Sequence, residues 1–187
     1  MELSKNFLQD TRADVENYTP IIVFAELKGS FTGFDILYAV APDSNKLSDI
    51  DNNFIYTRPI LDNVTSVKSK VDYQDKKIQI STLRVKLFNK LTEATKLSED
   101  STMYKLDGKY VFLYYKTPNT NRINLPNFLF QDSSEDNDCA LIFYGICNRV
   151  KISDSIIDIQ VEDFTQDAIA DKNVPFYDQS NIDKDIS

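Results

Sequence analysis

The sequence predicts a mainly β protein, an antiparallel β-barrel or sandwich with one or two short helices. Short apolar runs rich in β-branched and aromatic residues recur along the chain, and turns rich in Asp, Asn, Pro and Gly separate them. Residues 157–162 alternate strictly between apolar and polar side chains, which is the pattern of a strand with one buried face. A hydrophobic fraction of 42%, spread over the whole chain, is enough to form a folded core.

The first strands are predicted directly after Pro20. Residues 21–27 form a short apolar run that ends at Lys28-Gly29-Ser30, which indicates a buried strand followed by a turn. A second run, 34–41, ends in the turn-forming residues 42–45. The apolar residues of 42–63 are isolated among Asp, Asn and Pro, so we expect a loop there that contains at most a short helix.

The middle of the chain predicts three strands and one helix. Segments 64–71 and 77–88 have strand patterns, but the apolar phase of the second changes near Ser81-Thr82, as in a strand that bends from one sheet into another. Segment 90–99 has a helix-like composition. Segment 109–116 carries large apolar or aromatic side chains at both odd and even positions, so both of its faces should be covered.

The final strands are predicted to form a hairpin of 140–152 and 155–161 around Ser153-Asp154. Cys139 and Cys147 lie in or beside the first of these strands. Eight positions along an extended strand span far more than the 7 Å or so between the Cα atoms of a disulfide. We therefore expect two free thiols.

The predicted domain organisation is simple. Residues 1–19 form an N-terminal arm or short helix, and 20–177 form a β-rich body. The body could consist of two small, intimately packed subdomains that meet near 90–108, and the polar residues 178–187 form a flexible tail.

The composition excludes several classes of function. With 21 basic against 29 acidic residues the net charge is −8, which disfavours nucleic acid and anionic membranes as partners. No run approaches the roughly 18 apolar residues that would span a bilayer. The N-terminus lacks the features of a signal peptide, so we expect synthesis in a cytoplasm. The absence of His removes the most common general base and metal ligand, and we predict no enzyme activity and no cofactor.

Two groups of acidic residues are candidates for a metal-binding or catalytic site. The cluster 132–138 offers several oxygen ligands for Ca²⁺, but it lacks the glycine and the terminal Glu of a helix-loop-helix calcium loop, and a solvated loop explains it better. Asp158, Glu162 and Asp163 include candidate carboxylate pairs for glycoside hydrolysis, yet an exposed strand face explains them equally well. We assign no catalytic and no metal-binding residue.

A locally basic stretch in the middle of this acidic chain is the candidate interface. Three interpretations apply: a nucleic-acid platform with a stacking Tyr, a charged outer face that prevents edge-to-edge aggregation, or a patch that meets an acidic surface of the next subunit. We favour a protein interface over nucleic acid because of the net charge. Its residues are Lys68, Lys70, Tyr73, Lys77, Arg84 and Lys86, with Lys76 beside them.

Two passages, in this order, resemble phage tail-hub and baseplate proteins. The first is 64–83 followed by Asn89. The second is Leu141-Ile142-Phe143-Tyr144-Gly145-Ile146, continuing through Val150 and Asp154 to Val161-Glu162-Asp163-Phe164-Thr165 and then Val174-Pro175. The resemblance covers about half of the chain, between residues 64 and 175.

The resemblance implies a β-barrel or sandwich domain in a ring or trimeric hub at the distal end of a tail. The implied partners are further copies of the chain and other tail proteins such as the tube, the spike or the tape measure, and no catalytic residue belongs to the pattern. A smaller tail-completion, adaptor or distal-tail component fits the same resemblance. Such a protein would be assembled in the host cytoplasm and reside in the virion.

The predicted function is therefore that of a virion structural protein of a phage tail or baseplate, a hub or adaptor that acts by subunit assembly. The alternative is a carbohydrate- or receptor-binding β-sandwich module that uses some of the ten Tyr residues. A hydrolase that uses Asp or Glu is a third, weaker possibility.

Overall fold

The computed structural model describes residues 3–13, 18–29, 33–65, 70–72, 77–79, 82–89, 106–125 and 136–163. Within these ranges the chain forms one helix and twelve strands. They are α1 (Lys5–Arg12), β1 (Thr19–Leu27), β2 (Phe34–Ala41), β3 (Lys46–Ser48), β4 (Phe54–Tyr56), β5 (Arg58–Pro59), β6 (Leu61–Val64), β7 (Lys70–Asp72), β8 (Lys77–Gln79), β9 (Thr82–Phe88), β10 (Tyr110–Lys116), β11 (Ala140–Ile152) and β12 (Ile156–Asp163).

Eight of the strands form one large sheet in the order β5-β2-β1-β10-β11-β12-β9-β6. Every neighbouring pair is antiparallel except β2 and β5, which are parallel. The two edge strands, β5 and β6, are separated along the chain by Ile60 alone, so the sheet must curl until its edges come close together. We call it the curled sheet. The predicted mainly β class is confirmed, with a sheet that curls but is not closed by a ladder between its edges.

The curled sheet separates two hydrophobic cores. Alternate residues of β1 show the division: Ile22 and Phe24 face the inner core, whereas Ile21, Val23 and Ala25 face the outer core. Strands β6, β9, β11 and β12 contribute to the inner core, which the curled sheet encloses. The small sheet of β3 and β4 covers the outer core of β1, β2 and β10.

Strand β10 is buried on both faces, as the sequence predicted. Val111 and Leu113 belong to the inner core, and Phe112 and Tyr114 belong to the outer core. The Tyr114 hydroxyl donates a hydrogen bond of 2.8 Å to the carbonyl of Asn124, so the one polar atom of this buried ring is satisfied.

The prediction that 42–63 is a loop with at most a short helix was wrong. The segment contains β3, β4, β5 and β6, each two to four residues long. A tight turn joins β3 to β4, in which the Asp49 carboxylate accepts hydrogen bonds from the backbone N–H groups of Asp51 (2.9 Å) and Asn53 (2.7 Å). Asn52 adopts a positive φ of 61° in this turn. The Asp- and Asn-rich stretch is thus hairpin chemistry.

The predicted change of sheet near Ser81-Thr82 agrees with the strand pairing. Strand β8 pairs with β7 in a separate two-stranded sheet, whereas β9 lies in the curled sheet between β12 and β6. Of the predicted strand 64–71, the structure describes the end of β6 with Thr65, and then β7. The predicted helix 90–99 and the predicted tail 178–187 lie outside the described residues.

The N-terminal segment forms α1, which lies against the loops at one end of the curled sheet. Ser4 caps the helix by accepting from the Phe7 N–H (3.3 Å) and donates its own hydroxyl to the carbonyl of Asp138 (2.6 Å). The buried Asp10 carboxylate accepts from the backbone N–H (3.1 Å) and side-chain amide (2.6 Å) of Asn119. These bonds connect α1 to two segments that are distant in sequence.

Both cysteines are free, as predicted, and the structure shows that both are buried. Cys139 lies in the outer core and Cys147 in the inner core. A β-bulge at Ile142 changes the phase of β11 relative to β10, which is why residues eight positions apart face different cores. In the ranges described, no helix is long and apolar enough to cross a membrane.

Candidate functional site

Two residues of the predicted interface, Arg84 and Lys86, lie side by side on the solvent face of β9. They alternate with Leu83, Val85 and Leu87, which are fully buried in the inner core. Strand geometry sends successive side chains to opposite faces, so burial of the three apolar residues places both cations outside.

Strand pairing brings two further cations to the same face. Arg84 lies opposite Gln160 of β12, and Lys86 lies opposite Asp158. On the far side of β12, Gln160 lies opposite Arg149 of β11. Asp158 likewise lies opposite Lys151. Two parallel rows result, each with a basic residue at both ends and an amide or carboxylate in the middle.

We call this surface the basic face. Side chains opposite one another on neighbouring strands have Cβ atoms about 4.5–5.5 Å apart, so each row is nearly continuous. The four cations are exposed, and Asp158 and Gln160 are half-buried between them. Four positive charges against one negative charge make it strongly positive on a chain of net charge −8. Its members are Arg84, Lys86, Arg149, Lys151, Asp158 and Gln160.

The shape of the basic face favours contact with a surface. The depression between Arg84, Arg149 and Asp158 has a volume of only about 90 Å³. Pockets for small molecules usually measure about 300–1,000 Å³. The face is therefore nearly flat and suited to an acidic protein surface or to single anionic groups on it.

The remaining residues of the predicted interface have different positions. Lys70 lies on β7 opposite Gln79, and Lys77 lies on β8 opposite Asp72, so both belong to the two-stranded sheet. Lys68 and Tyr73 lie outside the described residues, as does Lys76. Of the six predicted residues, the structure brings Arg84 and Lys86 together.

Sequence reasoning missed Arg149 and Lys151. Both occupy polar positions that flank Val150 in the predicted strand 140–152, so their exposure could have been anticipated from the alternation. Their closeness to Arg84 and Lys86 depends on β12 lying between β11 and β9. That arrangement joins strands that are distant in the sequence, and local patterns do not specify it.

The acidic candidates also separate. Asp158 is part of the basic face. Glu162 and Asp163, at the end of β12, line a depression of about 390 Å³ together with Asp107. Within the described ranges, no three His, Cys, Asp or Glu side chains form a group that could hold a metal ion. Of the acidic cluster 132–138, residues 132–135 lie outside the described part of the chain.

An acidic turn lies over the outer core. The turn between β3 and β4 carries the half-exposed Asp49 and the exposed Asp51. Because β3 and β4 cover β1, β2 and β10, this acidic turn lies over different strands of the curled sheet from the basic face, which stands on β9, β11 and β12. No protein-family model matches the chain, and a search of curated proteins found no match.

Proposed function

We propose that this chain is a structural protein of a phage tail or baseplate, a hub or adaptor that acts by assembly rather than by catalysis. Its partners are copies of itself in a ring or trimer, and other tail proteins such as the tube, the spike or the tape measure. It is assembled in the host cytoplasm and resides in the virion. The basic face is the observation that carries this proposal.

The basic face adjoins the first and overlaps the second of the two passages that resemble tail-hub and baseplate proteins. Arg84 lies just after the end of the first passage and before its Asn89, and Arg149 and Lys151 lie within the second. Strand β12 pairs with β9 on one side and with β11 on the other, so the ends of the two passages form neighbouring strands. The resemblance and the charged surface therefore point to the same part of the molecule.

Electrostatics favours an anionic partner at this surface. The four cations stand in two neighbouring rows with Asp158 as the one carboxylate among them, so their mutual repulsion is only partly offset. An acidic surface placed over the rows would relieve that repulsion and would speed the encounter of the two partners.

The acidic turn at Asp49 and Asp51 offers such a surface on the chain itself. Because it lies over different strands from the basic face, one subunit can present its acidic turn to the basic face of the next. Contacts between two different surfaces of identical subunits are the kind that close into rings. This geometry supports self-assembly.

Reversing charges tests the proposal. In the double variant Arg84→Glu with Arg149→Glu, we expect the mass in solution to fall toward that of a single chain, measured by light scattering at low ionic strength. The matched control is Lys5→Glu with Arg12→Glu, which changes the net charge equally at two exposed positions of α1. If the double variant Arg84→Glu with Arg149→Glu kept the wild-type assembly mass, the basic face would not be the interface.

A further inference from the structure

A pocket of about 660 Å³ opens at one end of the curled sheet, beside α1. Its size falls within the range of about 300–1,000 Å³ that is usual for small-molecule sites. The pocket shares no residue with the basic face, although Asn63, which lines it, pairs with Lys86 of that face across β6 and β9. It is lined by Phe7, Tyr18, Pro20, Pro42, Leu61, Asp62, Asn63, Val64 and Tyr115.

The pocket exists because the last inward-facing layer of the curled sheet is incompletely filled. Three residues occupy the inward-facing positions next to the inner core at this end of the sheet, each two positions from an inner-core residue. They are Pro20, before Ile22 on β1; Pro42, after Val40 of β2; and Tyr115, after Leu113 on β10. Two of these three side chains are short proline rings. Leu61, which belongs to the inner core, lies at the pocket as its apolar floor.

One wall of the pocket is aromatic. The Tyr18 ring lies between those of Phe7 and Tyr115, with centroid distances of 6.0 Å to Phe7 and 6.1 Å to Tyr115. Phe7 is buried and is held by the capped and anchored helix α1, whereas Tyr18 is 39% exposed. A large ring that is fixed at its back and open at its front is a preformed stacking surface.

The rim on the β6 side is polar. Asp62 and Asn63 are both exposed and both line the pocket. Consecutive residues of a regular strand point to opposite faces, but the pairing of β6 with β9 shifts between Leu61 and Asn63. The shift leaves Asp62 as the extra residue of a β-bulge and places Asn63 opposite Lys86, on the outer face of the sheet. Asp62 is therefore the polar side chain that the bulge supplies to the pocket, a role that bulges often have at binding sites.

We propose that this pocket binds a saccharide. A sugar ring has an apolar C–H face, which packs on the aromatic wall of Tyr18 and Tyr115, and a set of hydroxyl groups around its edge. The Asp62 carboxylate accepts hydrogen bonds from hydroxyls. This site shares no residue with the proposed assembly surface, so either proposal can fail without the other.

The polar rim decides between a saccharide and a purely apolar occupant. An apolar side chain or lipid tail that filled the pocket would remove the Asp62 carboxylate from water and give it no hydrogen-bonding partner, which is unfavourable. A saccharide hydroxyl satisfies this carboxylate, and the sugar ring covers the aromatic wall at the same time.

A glycan array tests the proposal directly. The full chain is applied to an array of hexose, N-acetylhexosamine and uronic-acid oligosaccharides, and the strongest binder is then titrated calorimetrically. We expect Tyr18→Ala and Asp62→Ala each to weaken binding by about tenfold or more, because a stacked ring or a charge-assisted hydrogen bond is lost. The control Tyr56→Ala removes a Tyr that is 66% exposed on β4, outside the pocket, and should leave affinity unchanged.

Two further measurements make every outcome informative. Asp62→Asn keeps the shape of the side chain and removes only its charge, so it should weaken binding even if Asp62→Ala disturbs the edge strand. The apolar dye 8-anilinonaphthalene-1-sulfonate reports an apolar occupant. Three results would each overturn the proposal. The array retains no glycan, or the pocket variants leave glycan binding unchanged. The third is that the chain binds no glycan but binds the dye, and Tyr18→Ala abolishes dye binding.

Discussion

Gly145 on β11 lies directly against the backbone carbonyl oxygen of Glu162 on β12. A β-carbon at position 145 would overlap that oxygen, and it would also approach the Phe143 ring to 3.1 Å. The Phe-x-Gly spacing of the second resembling passage therefore has a structural reason, because only glycine lets β12 approach β11 this closely.

The first prediction follows from that contact. Gly145→Ala should lower the free energy of unfolding by about 1–3 kcal/mol or more, because either strand must move to accommodate the methyl group. Urea denaturation measures the change. Gly29→Ala is the matched control, since a β-carbon there would meet no heavy atom within 4 Å. Equal stability of the two variants would contradict the close approach of β11 and β12.

The second prediction concerns the hairpin of β3 and β4. Leu47 is 1% exposed and anchors β3 in the outer core, whereas Phe54 of β4 is 62% exposed. Leu47→Ala should cost about 2–5 kcal/mol of stability. Phe54→Ala removes an exposed ring whose contact is the Lys46 ammonium, 3.5 Å from the ring centroid, and should cost about 1 kcal/mol or less. Thermal and urea unfolding measure both. If the two substitutions had similar effects, the hairpin would not be packed on the sheet through Leu47.

The third prediction is a dependence on pH. Hydrogen bonds from Thr117 and then Asn119 hold the pKa of the Asp10 carboxyl below its usual value of 3.8. A carboxyl whose pKa is lower in the folded state stabilises that state above its unfolded pKa, and the contribution is lost as pH falls through the folded pKa.

Asp10→Ala should therefore be less stable than the wild type near neutral pH, and the difference should shrink once the pH falls below about 4. Melting temperatures measured across this range test it. Gln9→Ala, an exposed neighbour on α1, should show no such trend. A difference between Asp10→Ala and wild type that stays constant with pH would rule out a stabilising role of the ionised carboxylate.

The fourth prediction concerns the two thiols. Burial raises the pKa of Cys139 to about 11 and, with a further contribution from the charge of Asp107, that of Cys147 to about 12. Near pH 8 both should be protonated and inaccessible, so a disulfide reagent should react with neither in the folded protein. Both should react after unfolding in guanidinium chloride. Rapid reaction of either thiol in the native protein would contradict its burial.

The larger strands could be predicted from the sequence because their periodicity reports burial. The pattern of segment 109–116 predicted two covered faces, and β10 contributes to both the inner and the outer core. The pattern of segment 155–161 predicted one covered face, and β12 contributes to the inner core. The strands of 42–63 could not be predicted in this way. They are too short for a period to appear, and β3 carries a single buried anchor, Leu47.

The functional surfaces were harder to predict than the strands. Arg84 and Lys86 were identified from local charge, but Arg149 and Lys151 join them only through the intervening β12. The pocket depends on a β-bulge at Asp62 and on prolines at the ends of strands, and neither leaves a periodic signal. Such features arise from the pairing of distant segments.

The central claim is that the chain assembles through oppositely charged surfaces. Its most direct test is the light-scattering mass of the purified wild-type chain, first at low ionic strength and then in salt that screens charges beyond a few ångströms. We predict the mass of a trimer or a larger ring at low salt, falling toward the 21.5 kDa of one chain as salt is added. A mass of 21.5 kDa at every salt concentration would contradict self-assembly through the basic face.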